Sequence, residues 1–349
     1  MSTRQLALLL SLTAAAHASA LGAKEPARPG LAPRNRVRLT EAFSVMADVQ
    51  DAVWPKWSQA PADLVLVDAE FEYLLRSREH PAGFEVLPAD PVLGAPVLVR
   101  KRTFPPDFLA TFPAFGPTPT IVVGTAEATG KASTAWVLSV LHEHFHQLQY
   151  SDAGYWQETK ALGLAGNDES GMWMLNYPFP YESVSARFAA LAVELAQLLD
   201  AGAAAGPEQR EALWRHYATF CTSLEPQDHR YLSFQLWQEG IARYVELKVA
   251  EAAARKHRVS GDFARLPDYQ GFAEAAASLR RGILHGLRTD RMNAEKRLVF
   301  YAFGAGLGLL LDQEGADWHD RYLREKFYLE KYRNPSPAGA VGGEGRSGE

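Results

Sequence analysis

The chain has one cysteine, Cys221, among its 349 residues. One thiol cannot close an intramolecular disulfide, and it excludes a metal site built from a cysteine cluster. An excess of positive charge is also missing. The formal net charge is −5, so no general attraction to nucleic acid or anionic lipid is expected. The apolar run from Leu298 to Leu311 is too short to span a bilayer and is interrupted by Gly304, Gly306 and Gly308. No internal repeat recurs. What remains is an ordinary globular balance, 47% hydrophobic and 22% charged, with material for a large core in one two-lobed domain or two small ones.

The first residues read as a targeting segment. Arg4 supplies a short positive region, Leu6 to Ala16 an apolar stretch, and Ala18-Ser19-Ala20 a small-residue cleavage site. Residues 1–20 are therefore expected to be a secretory signal, cleaved after Ala20, which makes the protein periplasmic or secreted without a stable membrane span. A cysteine-poor chain fits such compartments, because export permits disulfides without requiring them. Residues 21–37, with Pro26, Pro29, Gly30 and Pro33 among basic residues, read as a linker. The tail 334–349 is rich in Pro, Gly, Ser, Ala and Glu and is expected to be disordered.

Between these ends the pattern predicts an α+β protein. A helix is expected at about 40–52. Short β-branched runs at 64–67, 95–99 and 120–123, bounded by Pro and Gly, predict a small sheet within a β-rich lobe at 38–130. From 131 to 333 the character is helical, with helices expected at 132–150, 182–202, 207–223, 229–256, 268–288, 293–312 and 317–332. A long loop is expected at 151–181.

The first helical segment carries Leu141-His142-Glu143-His144-Phe145-His146-Gln147. Positions i and i+4 of an α-helix share a face, so His142 and His146 can offer imidazole nitrogens to one ion. Glu143 lies about 100° round the helix, placed to miss the metal and reach a water beside it. His144, about 200° round from His142, points away and should pack elsewhere. Gln149 and Tyr150 return to the face of His142, where core packing or a supporting role is expected.

Catalytic zinc normally takes three protein ligands. With one Cys, and no His soon after His146, the third is expected to be a carboxylate. Candidates are Glu158, Asp168, Glu169, Glu182, Glu194, Glu239 and Glu246. Glu239 is favoured by its neighbours. Gly240 and Ala242 remove bulk and should let its helix approach the His helix. Trp237 can pack beneath, and Arg243 at i+4 can hold the carboxylate. An exposed Glu239–Arg243 helix pair is the alternative, with Glu182 or Glu194 as the ligand.

The E-G-x-A-x-Y-x-E part of Trp237 to Glu246 resembles the W-x-N-E-G-x-A-x-Y-x-E block of gluzincin metallopeptidases, above all the aminopeptidases related to leukotriene A4 hydrolase. Tyr301-Ala302-Phe303-Gly304-Ala305 is similar to their Y-x-x-G-A helix. The order of the three blocks is kept. The combination H-E-x-F-H-x-x-Q with E-G-x-A-x-Y-V-E is most similar to a group of exported bacterial metallopeptidases. The resemblance implies a zincin-like helical catalytic lobe, with Zn2+ held by His142, His146 and Glu239. It also implies Glu143 as general base and Tyr301 as hydrogen-bond donor to the oxyanion, acting on a peptide or protein substrate. Two departures limit it. The spacer between His146 and Glu239 is much longer than in the aminopeptidases, and their G-x-M-E-N block, which captures a free amino terminus, is absent. The expected function is thus an exported zinc metallopeptidase without implied aminopeptidase specificity. The alternative is a non-catalytic metal-binding or scaffold protein that keeps the fold.

Overall fold

The computed structural model describes residues 29–333 except 88–89, 91–92, 94–95, 169–170 and 316. The expected signal, the first part of the linker and the tail lie outside the described residues. The linker's last five residues are helical instead: helix α1 runs Pro33–Val53. Pro33 opens it with a pre-set φ and no amide hydrogen to satisfy. Leu39, Ala42, Val45, Met46 and Val49 recur at helical spacing and are buried.

A six-stranded mixed sheet follows. It comprises β1 (Leu64–Val67), β2 (Phe71–Leu75), β3 (Glu85–Leu87), β4 (Val97–Lys101), β5 (Leu109–Phe112) and β6 (Thr120–Gly124), in the order β3-β4-β2-β1-β6-β5. Only β1 and β6 pair in parallel. Leu64 and Leu66 of β1 face the helices, while Val65 and Val67 face a smaller core beneath Phe104, Phe108 and Phe112. Burial on both faces explains the continuous apolar runs. Strand β2 is not apparent in the sequence because Glu72, its second residue, interrupts the apolar pattern. That carboxylate is fully buried and accepts from Arg100 Nε at 2.6 Å and from the amides of Thr103 and Phe104, which satisfies the charge.

The rest is helical. Helix α2 (Ser133–Ser151) is buried along nearly its whole length. The expected loop after it holds two short helices, α3 (Tyr155–Ala161) and α4 (Trp173–Asn176). Then come α5 (Tyr181–Ala201), α6 (Pro207–Thr222) and α7 (Pro226–Gln235). Helix α7 runs through a π-turn, Leu236–Gly240, into α8 (Ile241–Lys256). The series ends with α9 (Gly261–Ala264), α10 (Phe272–Thr289), α11 (Met292–Glu295), α12 (Val299–Gln313) and α13 (His319–Tyr322).

Two expected helices are broken. Lys296, at φ 51°, separates α11 from α12. The expected helix 317–332 is only the short α13, which stops at Tyr322, and Phe327, at φ 77°, lies in the irregular segment before a 3-10 turn at Leu329–Tyr332, where a bulky residue in the left-handed region cannot belong to a right-handed helix. Beside Phe327, the buried Lys326 ammonium turns back to Asp152 (2.7 Å) and Glu158 (2.8 Å). This ties the C-terminal segment to the region after α2. The described residues from Leu31 onward form one compact unit. No described helix is long and apolar enough to cross a membrane.

Candidate metal centre

Helix α2 is fixed at both ends. At its start, Asp268 accepts from the Ser133 amide (2.9 Å) and hydroxyl (2.7 Å), placing a carboxylate at the positive helix end. Further along, the buried Gln147 donates to the carbonyls of Asp63 and Pro119 and locks α2 to the sheet. His144 faces that side, as its angle on the helix predicts. It stacks on Trp57 at 5.2 Å and bonds Gln147 and Gln50. Burial lowers its pKa to about 4, so it stays neutral.

His142 and His146 lie on the opposite face, with ring centres 4.9 Å apart. Glu239 reaches them from the π-turn. Its Oε2 lies 3.9 Å from His142 Nε2 and 3.6 Å from His146 Nε2. One ligand atom from each of the three residues falls within 4.8 Å of the others. Two ligands about 2.1 Å from one ion at a tetrahedral angle lie about 3.4 Å apart, so the three donors fit a zinc ion with little movement. The chemistry of the set, two imidazoles and one carboxylate, also suits zinc. The alternatives do not join: Glu182 pairs with Lys296 and Glu194 with His216, both at the surface.

The surroundings of the ligands differ from the sequence expectation in two respects. Arg243 does not hold Glu239; it pairs with Glu246 at 2.5 Å, and the buried Glu246 stands 3.5 Å from His142 Nδ1. Nor does Gly240 clear space toward α2. A Cβ on Gly240 would lie 2.5 Å from Gly304 Cα, and one on Gly304 would lie 2.6 Å from Gly240 Cα. The missing side chains bring Glu239 close to α12, the helix that carries Tyr301. Trp237 does pack beneath the turn, stacked on Tyr322 at 4.6 Å. The π-turn itself adds a residue to the helical circuit at the position from which Glu239 projects.

His146 is oriented by Gln149. The Gln149 amide group donates to the Trp237 and Gln238 carbonyls and to the Tyr322 hydroxyl. Its Oε1 therefore faces His146 Nδ1, at 2.6 Å, while the Gln238 side-chain nitrogen lies 3.1 Å from the same atom; the shorter contact to an acceptor favours the tautomer with its hydrogen on Nδ1. This leaves the Nε2 lone pair for a metal. Burial alone would lower the His142 pKa, but the Glu239 and Glu246 carboxylates outweigh it and raise it to about 9. Burial works against ionisation of Glu239 too, yet the two imidazoles hold its pKa well below the usual carboxylate range.

Glu143 is anchored by a residue absent from the sequence reading. Thr111 Oγ1, on strand β5, lies 2.8 Å from Glu143 Oε2 and 2.9 Å from its main-chain oxygen. Strand β5 is an edge of the sheet, so one open strand edge runs beside the candidate base. Tyr301 lies parallel to His142, ring centres 6.2 Å apart. Burial and the Glu239 carboxylate push its pKa well above 10, so the hydroxyl keeps its hydrogen. Tyr150 stacks on His146 at 6.1 Å and on the half-exposed Trp156 at 5.4 Å. Thr111 and Arg297, which approaches Glu239 to 4.0 Å, were missed because nothing in their local patterns signals a site. In comparisons with known proteins, no family model, no curated protein and no solved structure matches the chain.

Proposed function

We propose that the protein is an exported zinc-dependent hydrolase of gluzincin type that cleaves peptide bonds. The observation that carries the reading is the joint placement of His142, His146 and Glu239 around one point, with Glu143 bonded to an open strand edge through Thr111. A bound zinc ion supplies polarisation of a carbonyl and a water acidified toward neutrality. The chain's residues do the rest. Strand β5 offers main-chain groups to an extended peptide. Glu143 takes the water's proton and delivers it to the departing amine, acting first as base and then as acid. Tyr301 keeps its proton and donates a hydrogen bond to the oxygen that gains charge. The retained base, held by its own hydroxyl partner, favours catalysis over a purely structural metal site.

The test is a peptide library incubated with zinc-loaded protein and read by mass spectrometry, with Glu143→Gln in parallel. Cleavage by the wild type and none by a zinc-loaded Glu143→Gln variant is expected. Equal cleavage by both would remove Glu143 as the base, and no cleavage by either would favour the binding-protein alternative.

A further inference from the structure

Arg297 stands immediately after the left-handed turn at Lys296 and one helical turn before Tyr301. Its Nη1 lies 3.2 Å from the Tyr301 hydroxyl oxygen and 4.0 Å from Glu239 Oε1. The two oxygens of Glu239 thus face different partners: Oε2 faces the imidazoles and Oε1 faces the guanidinium. The Tyr301 ring is held by His142, parallel to it at an interplanar angle of 8°, and by the guanidiniums of Arg243 and Arg297, each 5.8 Å from the ring centre.

A guanidinium has donors and no acceptor. In the Arg297–Tyr301 bond the phenolic oxygen must therefore accept, and its own hydrogen points elsewhere. The hydroxyl also lies within reach of the Glu239 carboxylate, and without Arg297 nothing would oppose its giving that hydrogen to Glu239. Such a bond would spend the donor on a metal ligand. The guanidinium competes for both groups at once: it attracts Glu239 Oε1 and fills a lone pair of Tyr301. Its own side chain is about a quarter exposed and makes no other ion pair among the described residues.

We propose that Arg297 is a positioning residue that turns the Tyr301 hydroxyl hydrogen toward the reacting oxygen of the substrate. This rests on the peptidase reading above. The bond from Arg297 also makes the phenol a stronger donor, because a charged donor on its oxygen polarises the O–H group.

A double-mutant cycle on the zinc-loaded protein tests it, using a library peptide that the wild type cleaves. Arg297→Gln should lower kcat roughly tenfold to a hundredfold, with KM and zinc content unchanged. Arg297→Lys should recover much of the loss. In a Tyr301→Phe background, Arg297→Gln should cost nothing further. A second arm does not depend on turnover. It measures calorimetrically the affinity for a phosphinic analogue of a phenylalanyl-alanine dipeptide, whose tetrahedral oxyanion replaces the reacting carbonyl. Affinity should fall in Arg297→Gln by a factor similar to that in kcat, and only when Tyr301 is present. Additive losses, or loss of zinc in Arg297→Gln, would overturn the proposal and leave Arg297 as a counter-ion of Glu239. A protein that cleaves no peptide but binds the analogue through the coupled pair would refute the peptidase reading and keep the positioning role. Absence of coupling in the binding arm would refute the positioning role itself.

Discussion

Gly240 and Gly304 touch backbone to backbone, and a Cβ on either would fall within 2.6 Å of the other's Cα. The Glu239 turn and the Tyr301 helix are therefore held together by two absent side chains. Gly304→Ala would also press on the Leu236 carbonyl oxygen, 2.7 Å from the added atom. Helices rather than flexible side-chain ends must move apart, which typically costs about 1–3 kcal/mol. The variant should unfold at lower urea concentration and bind zinc more weakly. Unchanged stability and zinc affinity would contradict the close-approach account.

Thr111 links the sheet edge to the base. Thr111→Val keeps the shape and removes the hydroxyl that meets Glu143 Oε2 at 2.8 Å. A carboxylate left to rotate loses catalytic geometry, so kcat should fall by about ten- to a hundredfold while zinc content stays the same. Thr111→Ser should retain most activity. Steady-state kinetics on any cleaved peptide checks both.

Gln149 presents its oxygen to His146 Nδ1 because three acceptors hold its amide nitrogen. Gln149→Leu should lower zinc affinity about ten- to a hundredfold, measured by competition with a chelator. An unchanged affinity would mean that the imidazole is oriented by packing alone.

The candidate ligands were legible in the sequence because their geometry is local. The i, i+4 spacing fixes His142 and His146 on one face before any tertiary contact forms, and Glu239 was marked by an unusual run of small neighbours. The reason for those small neighbours was not legible. Gly240 serves the contact with Gly304, which is distant in sequence, and no periodicity reports which of two helices a glycine faces. Arg243 was misassigned for a related reason. The turn at Leu236–Gly240 is a π-turn, so helical angles counted across it from Glu239 are wrong, and Arg243 meets Glu246 instead. Thr111 lies in a short strand beside Pro113, and Glu72 hides β2 until its partners Arg100, Thr103 and Phe104 are seen. The break at Lys296 and the irregular chain at Phe327 depend on left-handed residues that composition does not announce.

Away from the metal site, His257 is held between Glu41 (2.8 Å) and Asp48 (2.7 Å), with its side chain 1% exposed. Burial would lower its pKa, but the two carboxylates overcome this and raise it. A raised folded pKa favours the protonated native state. The stabilisation is fully present below the unfolded value of about 6.5 and is lost as pH rises through the higher folded value. The stability difference between wild type and His257→Gln should therefore be larger at pH 6 than at pH 9 in urea unfolding. A difference independent of pH would show that the charge is not involved.

The most direct measurement is metal analysis of the purified wild type beside Glu239→Ala and Glu182→Ala. About one zinc per chain is expected in the wild type and in Glu182→Ala, and little in a folded Glu239→Ala. A folded wild type without zinc-binding capacity, or full zinc binding by Glu239→Ala, would contradict zinc binding by His142, His146 and Glu239.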